Sequence, residues 1–163
     1  MIVFKYKVSP SSGLFGSDDG GFSIELLSDG TAIYKTYILS DQEKTCKVFL
    51  IDNVCITEVK EVLKLFQAQI KEMPKKLDNG SLDGYQNSFV FNGKKIIVWN
   101  ISYHDEEEVL ERNLEYYKEI KMNIKFENLI LEIFNKIVDI LKSYGIKLDL
   151  DSVIISNKIK YIQ

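Results

Sequence analysis

Twice in this chain an Asx-Gly pair separates two runs of alternating apolar and polar residues. "FSIELLS" and "TAIYKTYIL" meet at Asp29-Gly30, and "SFVF" and "KKIIVWNI" meet at Asn92-Gly93. A two-residue turn whose twist matches that of its strands needs positive φ at both central residues, which Gly adopts freely and Asn or Asp tolerates. Alternation on either side of such a turn sends every second side chain to one face of a sheet. The two signals predict two antiparallel hairpins, and the rest of the chain must fold around them. Residues 2 to 8 ("IVFKYKV") and 47 to 51 ("KVFLI") supply further strand runs, so the sheet has at least five strands.

The period then changes. From Thr57, placed to cap a first turn, Val59, Val62, Leu63, Phe66 and Ile70 recur at helical spacing, and this helix must stop before Pro74. "PKKLDNGSLDGYQN" reads as a loop with two turn signals. Asp105, with Glu108 three residues on, forms an Asp variant of the capping box, so a helix begins there and carries Val109, Leu110, Leu114 and Tyr117 on one face. A longer helix from about Lys125 to Tyr144 presents Leu129, Ile130, Ile133, Phe134, Ile137 and Leu141 to the core and ends at Gly145. The tail "KLDLDSVIISNKIKYIQ" alternates enough for one or two short strands, with a turn near Ser156-Asn157. With no repeat or linker, residues 1–163 read as a single α+β domain: a mainly antiparallel sheet built from hairpins and packed against two to three helices. At 163 residues such a domain buries roughly two thirds of the surface its unfolded chain exposes.

Charge and composition narrow the function classes. A formal charge of −3 and a pI near 5.3 do not favour nucleic acid, whose binding leaves a basic footprint. The amino terminus lacks the basic start and unbroken apolar stretch of a secretion signal, and "NLILEIFNKIVDILKSY" is interrupted by Glu132, Lys136 and Asp139. The expectation is a cytoplasmic protein that does not enter the membrane. Cys46 and Cys55 are the only cysteines, and they are expected to be reduced structural thiols, since no second Cys pair or His-rich segment completes a zinc set.

Candidate catalytic groups are sparse. His104 lies three and four residues before Glu107 and Glu108, half of a metal site on a helix, but no second histidine is present to extend it. The loop with Gly13, Gly16, Gly20 and Gly21 has no Gly-Lys-Ser/Thr ending and leads into a strand, so it is not a phosphate cradle. Asp149 and Asp151 in "LDLDS" have a carboxylate-x-carboxylate spacing found in some divalent-metal sites and common by chance in acidic chains. Trp99, at the end of an apolar strand, is expected in the core. The chain is therefore read as a non-enzyme with no cofactor or metal; the alternative is a small hydrolase or ligand-binding enzyme with a carboxylate site near His104 or Asp149.

One segment concentrates charge. Residues 105 to 119 hold seven acids against Arg112 and Lys118, about −5 on a chain of −3, which leaves about +2 elsewhere. Acids in the first helical turn meet the helix macrodipole, which accounts for the earliest of them. Glu111, Glu115 and Glu119 follow at one-turn spacing beside Tyr116. Together with Glu107 and Glu108 they form a stripe that either faces solvent or docks a basic protein partner, with the glutamates steering and the tyrosine anchoring.

The succession of an Asp-Gly hairpin, a helix, the loop "LDNGSLDG", the hairpin "SFVFNGKKIIVWNI" and acidic and long helices resembles small α+β proteins of low-GC Gram-positive bacteria. It is also similar to the immunity proteins of polymorphic and contact-dependent toxin systems. The resemblance implies a cytoplasmic protein that binds and blocks one cognate toxin, often by covering the basic active site of a nuclease.

Overall fold

The computed structural model describes residues 1–10, 20–38, 42–77, 85–103 and 117–162. Seven strands form one sheet: β1 (Ile2–Pro10), β2 (Phe22–Leu27), β3 (Thr31–Ile38), β4 (Gln42–Leu50), β5 (Lys76–Leu77), β6 (Tyr85–Phe91) and β7 (Lys94–Trp99). Their order is β4-β3-β2-β1-β6-β7-β5, and every pairing is antiparallel except that of β5 with β7. The helices described are α1 (Asn53–Leu65), α2 (Gln67–Glu72) and α3 (Tyr117–Ser143). A separate hairpin, β8 (Ile146–Leu148) with β9 (Val153–Ile155), follows α3. The chain is α+β, as its alternating runs and helical spacing predict.

Both Asx-Gly pairs sit at hairpin tips. At Asn92-Gly93 the φ values are 48° and 83°, and Phe91 pairs with Lys94, so this is the two-residue turn expected. Asp29-Gly30 differs. Only Gly30 has positive φ, and the Gly30 N–H donates to the Leu27 carbonyl at 3.2 Å, giving a three-residue loop closed by a glycine in the left-handed region. Asp29 Oδ1 accepts the Thr31 N–H at 2.9 Å, which holds the loop and lowers the Asp29 carboxyl pKa.

Helix α1 begins four residues before Thr57. Asp52 is its cap, accepting the Val54 N–H at 2.8 Å, while the Thr57 hydroxyl lies inside the helix and donates to the Asn53 carbonyl at 2.9 Å. The cause is a local ambiguity: "VCI" follows the apolar run of β4 after only Asp52 and Asn53, yet Cys55 and Ile56 join Val59 and Leu63 on the buried face. Helix α3 is likewise already helical at Tyr117, eight residues before the expected start near Lys125, and Ile124, immediately before that expected start, is buried. Strands β4 and β6 extend five and three residues further toward the amino terminus than their apolar runs, because ladder pairing with β3 and β1 carries polar residues along. The turn of the tail hairpin lies at Asp149–Ser152, where the Asp149 N–H donates to the Ser152 carbonyl at 2.9 Å; Ser156 opens a second turn that closes with the Ile159 N–H at 3.0 Å.

One face of the sheet carries the core. Phe4, Tyr6, Ile24, Leu26, Ala32, Phe49, Phe89, Phe91, Ile96 and Val98 are buried against α1 and α3. A register shift between Ile2 and Phe4 lets Val3 and Phe4 both be buried. Phe134 of α3 meets the rings of Tyr6 at 4.9 Å, Phe89 at 5.7 Å and Phe4 at 6.4 Å. The core face expected on α3 is buried at Ile130, Ile133, Phe134, Ile137 and Leu141, and half-buried at Leu129. Trp99 corrects the expectation: it neighbours the inward Val98 on β7 and so falls on the opposite face, half-buried rather than in the core. That outer face also holds the Lys5–Glu25 ion pair at 2.9 Å and Lys7, 4.4 Å from the centre of the Tyr37 ring.

Candidate functional site

Cross-strand register decides where the inner face of the sheet is left open. Asn87, Val8, Phe22, Thr36 and Thr45 lie opposite one another in sequence across β6, β1, β2, β3 and β4. The next row inward is Phe89, Tyr6, Ile24, Tyr34 and Lys47. The inner row is filled by the Phe134 cluster; the outer row instead faces the turn between β8 and β9. Between them is an open cleft of about 760 Å³, lined by Val8, Phe22, Tyr34, Thr36 and Asn87 from the sheet and by Leu150, Asp151, Ser152 and Val153 from that turn. Lys44, Tyr85 and Ile101 complete its sides. This volume is in the range of small-molecule sites, about 300–1,000 Å³.

The inner end of the cleft is held by a buried polar network. Tyr6 has no exposed surface, and its hydroxyl donates to the Leu150 carbonyl at 2.6 Å while accepting from Asn87 Nδ2 at 2.8 Å. The Ile101 N–H donates to Asn87 Oδ1 at 3.1 Å. A single amide thus ties β1, β6, the segment after β7 and the tail hairpin together, at a position only 4% exposed. Burial raises the Tyr6 phenol pKa well above its ordinary value. The Asn87 hydrogen bond opposes this and the charge of Asp151 adds to it, so the hydroxyl remains a donor. Burial also raises the Tyr34 phenol pKa. At the mouth, Asn100 adopts φ 46° and exchanges two hydrogen bonds with Tyr85, backbone N–H to carbonyl at 2.8 Å and Tyr85 N–H to Asn100 Oδ1 at 2.8 Å.

Glycine makes the opposite wall possible. A Cβ on Gly21, at φ +87°, would stand 1.9 Å from the Val8 carbonyl oxygen, and one on Gly20 would stand 2.3 Å from the Ile38 backbone. The Gly21 carbonyl accepts the Tyr37 N–H at 3.0 Å. The role of these two glycines is close backbone approach between strands, not phosphate binding.

The residues singled out from sequence fare unequally. His104, Glu107, Glu108, Glu111, Glu115 and Tyr116 lie outside the described residues, and Glu119 is placed only as part of the first turn of α3. Asp149 is exposed and does not line the cleft, whereas Asp151, two residues on, does. Among the described residues, no group of three or more His, Cys, Asp or Glu side chains is placed to hold a metal, and no helix is long and apolar enough to cross a membrane. Both cysteines are free, Cys46 exposed and Cys55 buried. Sequence reading missed Asn87, which it put in a loop. The available signal was the period-two continuation Tyr85, Asn87, Phe89, Phe91, which extends β6 backward from its apolar run. Compared with known proteins, the chain matches no family model and no curated protein.

Proposed function

We propose that this chain is a non-enzymatic protein-binding module that neutralises a cognate toxin, as its resemblance to immunity proteins implies. The observation that carries the reading is the open end of the sheet, where Tyr34 and Tyr85 line a concave surface; Tyr85 is 57% exposed. Tyrosine is enriched at protein interfaces because it presents a large rigid ring at small entropic cost together with a hydrogen-bonding tip. The underlying Tyr6–Asn87–Ile101 network supports the reading further, since a surface fixed before binding loses less entropy on association. The acidic residues Glu107, Glu108, Glu111, Glu115 and Glu119, with Tyr116, are the proposed second contact, steering a basic toxin domain.

Co-expression tests this directly. The product of the adjacent upstream gene is expected to arrest growth when expressed alone and to be tolerated, and to copurify, when this chain is present. A product that is harmless alone, or one whose toxicity persists without copurification, overturns the proposal. Reversal of Glu111, Glu115 and Glu119 to lysine is expected to slow association and weaken its salt dependence while the chain remains folded by circular dichroism. Unchanged association and salt response in a folded triple variant assign the stripe to solvent.

A further inference from the structure

The two charged side chains on the cleft have opposite signs and belong to different walls. Lys44 comes from the edge strand β4 and Asp151 from the β8–β9 turn; both residues are exposed, and neither makes an ion pair among the described residues. Between them lie apolar and aromatic surfaces, chiefly Phe22 and Tyr34, whose ring centres are 6.4 Å apart with planes at 53°. Asn87 adds a donor. One hydrogen of its amide nitrogen goes to Tyr6, and the other has no acceptor among the described residues.

We propose that the cleft binds a small zwitterion of the amino acid or dipeptide class, with its carboxylate toward Lys44, its ammonium toward Asp151 and its apolar side chain against Phe22 and Tyr34. A ligand of a single charge would leave one of the two rim charges opposed by its own sign or unmatched. A zwitterion satisfies both while its side chain leaves water for the aromatic wall. The site is pre-formed on the sheet side, because Phe22 is only 7% exposed and the Asn87 amide is fixed by two hydrogen bonds. The tail hairpin is pinned to the same amide through Tyr6 and Leu150, so the Asp151 wall is anchored to the floor it faces. This binding does not depend on the toxin reading and stands or falls apart from it.

The test is titration of the ¹⁵N-labelled full chain with three probes: free L-phenylalanine, the dipeptide phenylalanyl-leucine, and that dipeptide acetylated at its amino end and amidated at its carboxyl end. The two zwitterions are expected to shift the Phe22, Tyr34 and Ile101 backbone amides and the Asn87 side-chain amide saturably, and their relative affinities tell a free amino acid from a peptide as the source. The blocked dipeptide is expected to bind about ten- to a hundredfold more weakly, the loss of both charge-assisted contacts. Lys44→Ala and Asp151→Asn, both at exposed positions, are each expected to weaken zwitterion binding about three- to tenfold and to leave the blocked probe unaffected. No saturable shift at the cleft up to about 10 mM of either zwitterion, an affinity too weak to count as a site, overturns the proposal. So does a blocked dipeptide that binds as tightly as the free one.

Discussion

Phe134→Ala is the most direct test of how the helix layer is joined to the sheet. The side chain is 2% exposed and its ring lies 4.9 Å from Tyr6, 5.7 Å from Phe89 and 6.4 Å from Phe4, the middle of the aromatic cluster that separates core from cleft. Removing it returns a fully buried aromatic side chain's transfer free energy, about 1.5–3 kcal/mol. The ring vacates roughly 100 Å³, and at about 24 cal/mol per Å³ an uncollapsed cavity adds about 2 kcal/mol. Part of the second figure is relieved if the walls close in, and part of the aromatic pair energy is already contained in the first. The expected loss is about 4 kcal/mol. Urea unfolding followed by circular dichroism measures it as a fall in midpoint with little change in slope. Leu129→Ala, at a half-buried position on the same helix, is expected to lose less than half as much. If Phe134→Ala does not fold, Phe134→Leu serves in its place, with an expected loss of about 1–2 kcal/mol. A Phe134→Ala loss below about 1.5 kcal/mol refutes the placement of this ring at the centre of the core.

Four further outcomes are expected. Gly93→Ala changes a residue at φ +83° with no atom within 4 Å of the added Cβ, so it should lose only the conformational penalty of about 1–2 kcal/mol; Gly21→Ala meets the Val8 oxygen at 1.9 Å and should lose at least twice that, and equal urea midpoints for the two variants contradict the close approach of β1 and β2. Asn87→Ala leaves the buried Ile101 N–H without its acceptor and the Tyr6 oxygen without its donor, a loss of about 2–3 kcal/mol, and hydrogen exchange at Ile101 should accelerate well beyond the rest of the sheet. Burial pushes the Cys55 thiol up from 9.0 to about 12, so above the ordinary thiol range the unfolded chain sheds a proton that the folded chain retains. Stability is then full below about pH 9 and falls as pH rises toward about 12, a slope that Cys55→Ala should reduce in urea midpoints; the raised Tyr6 phenol adds loss of the same sign from about pH 10 upward. Iodoacetamide should label Cys46 alone in the native state, and labelling of Cys55 without unfolding contradicts its burial.

Elements whose cause is local are legible in the chain before it folds. Asn92-Gly93 and Gly30 turn the chain because those residues take positive φ readily, whatever surrounds them, and Asp29 accepts a hydrogen bond from the Thr31 N–H two residues on. The face of α3 is legible because Ile130, Ile133, Phe134, Ile137 and Leu141 repeat at the helical period, and Gly145 ends it at φ +90° for the same steric reason. Boundaries and neighbours depend on contacts that exist only in the assembled fold. Whether "VCI" opens α1 depends on where its side chains find burial, and pairing with β3 and β1 draws the polar stretches "QEKTC" and "YQN" into the sheet beyond its apolar runs. The cleft is the extreme case. Asn87 and Asp151, which both line it, are 64 positions apart in sequence and meet there only because the tail hairpin returns over the outer row of the sheet, held by the hydroxyl of Tyr6. A contact made at such separation leaves no periodic trace in the chain, since its energy comes from groups that become neighbours only once the sheet has formed.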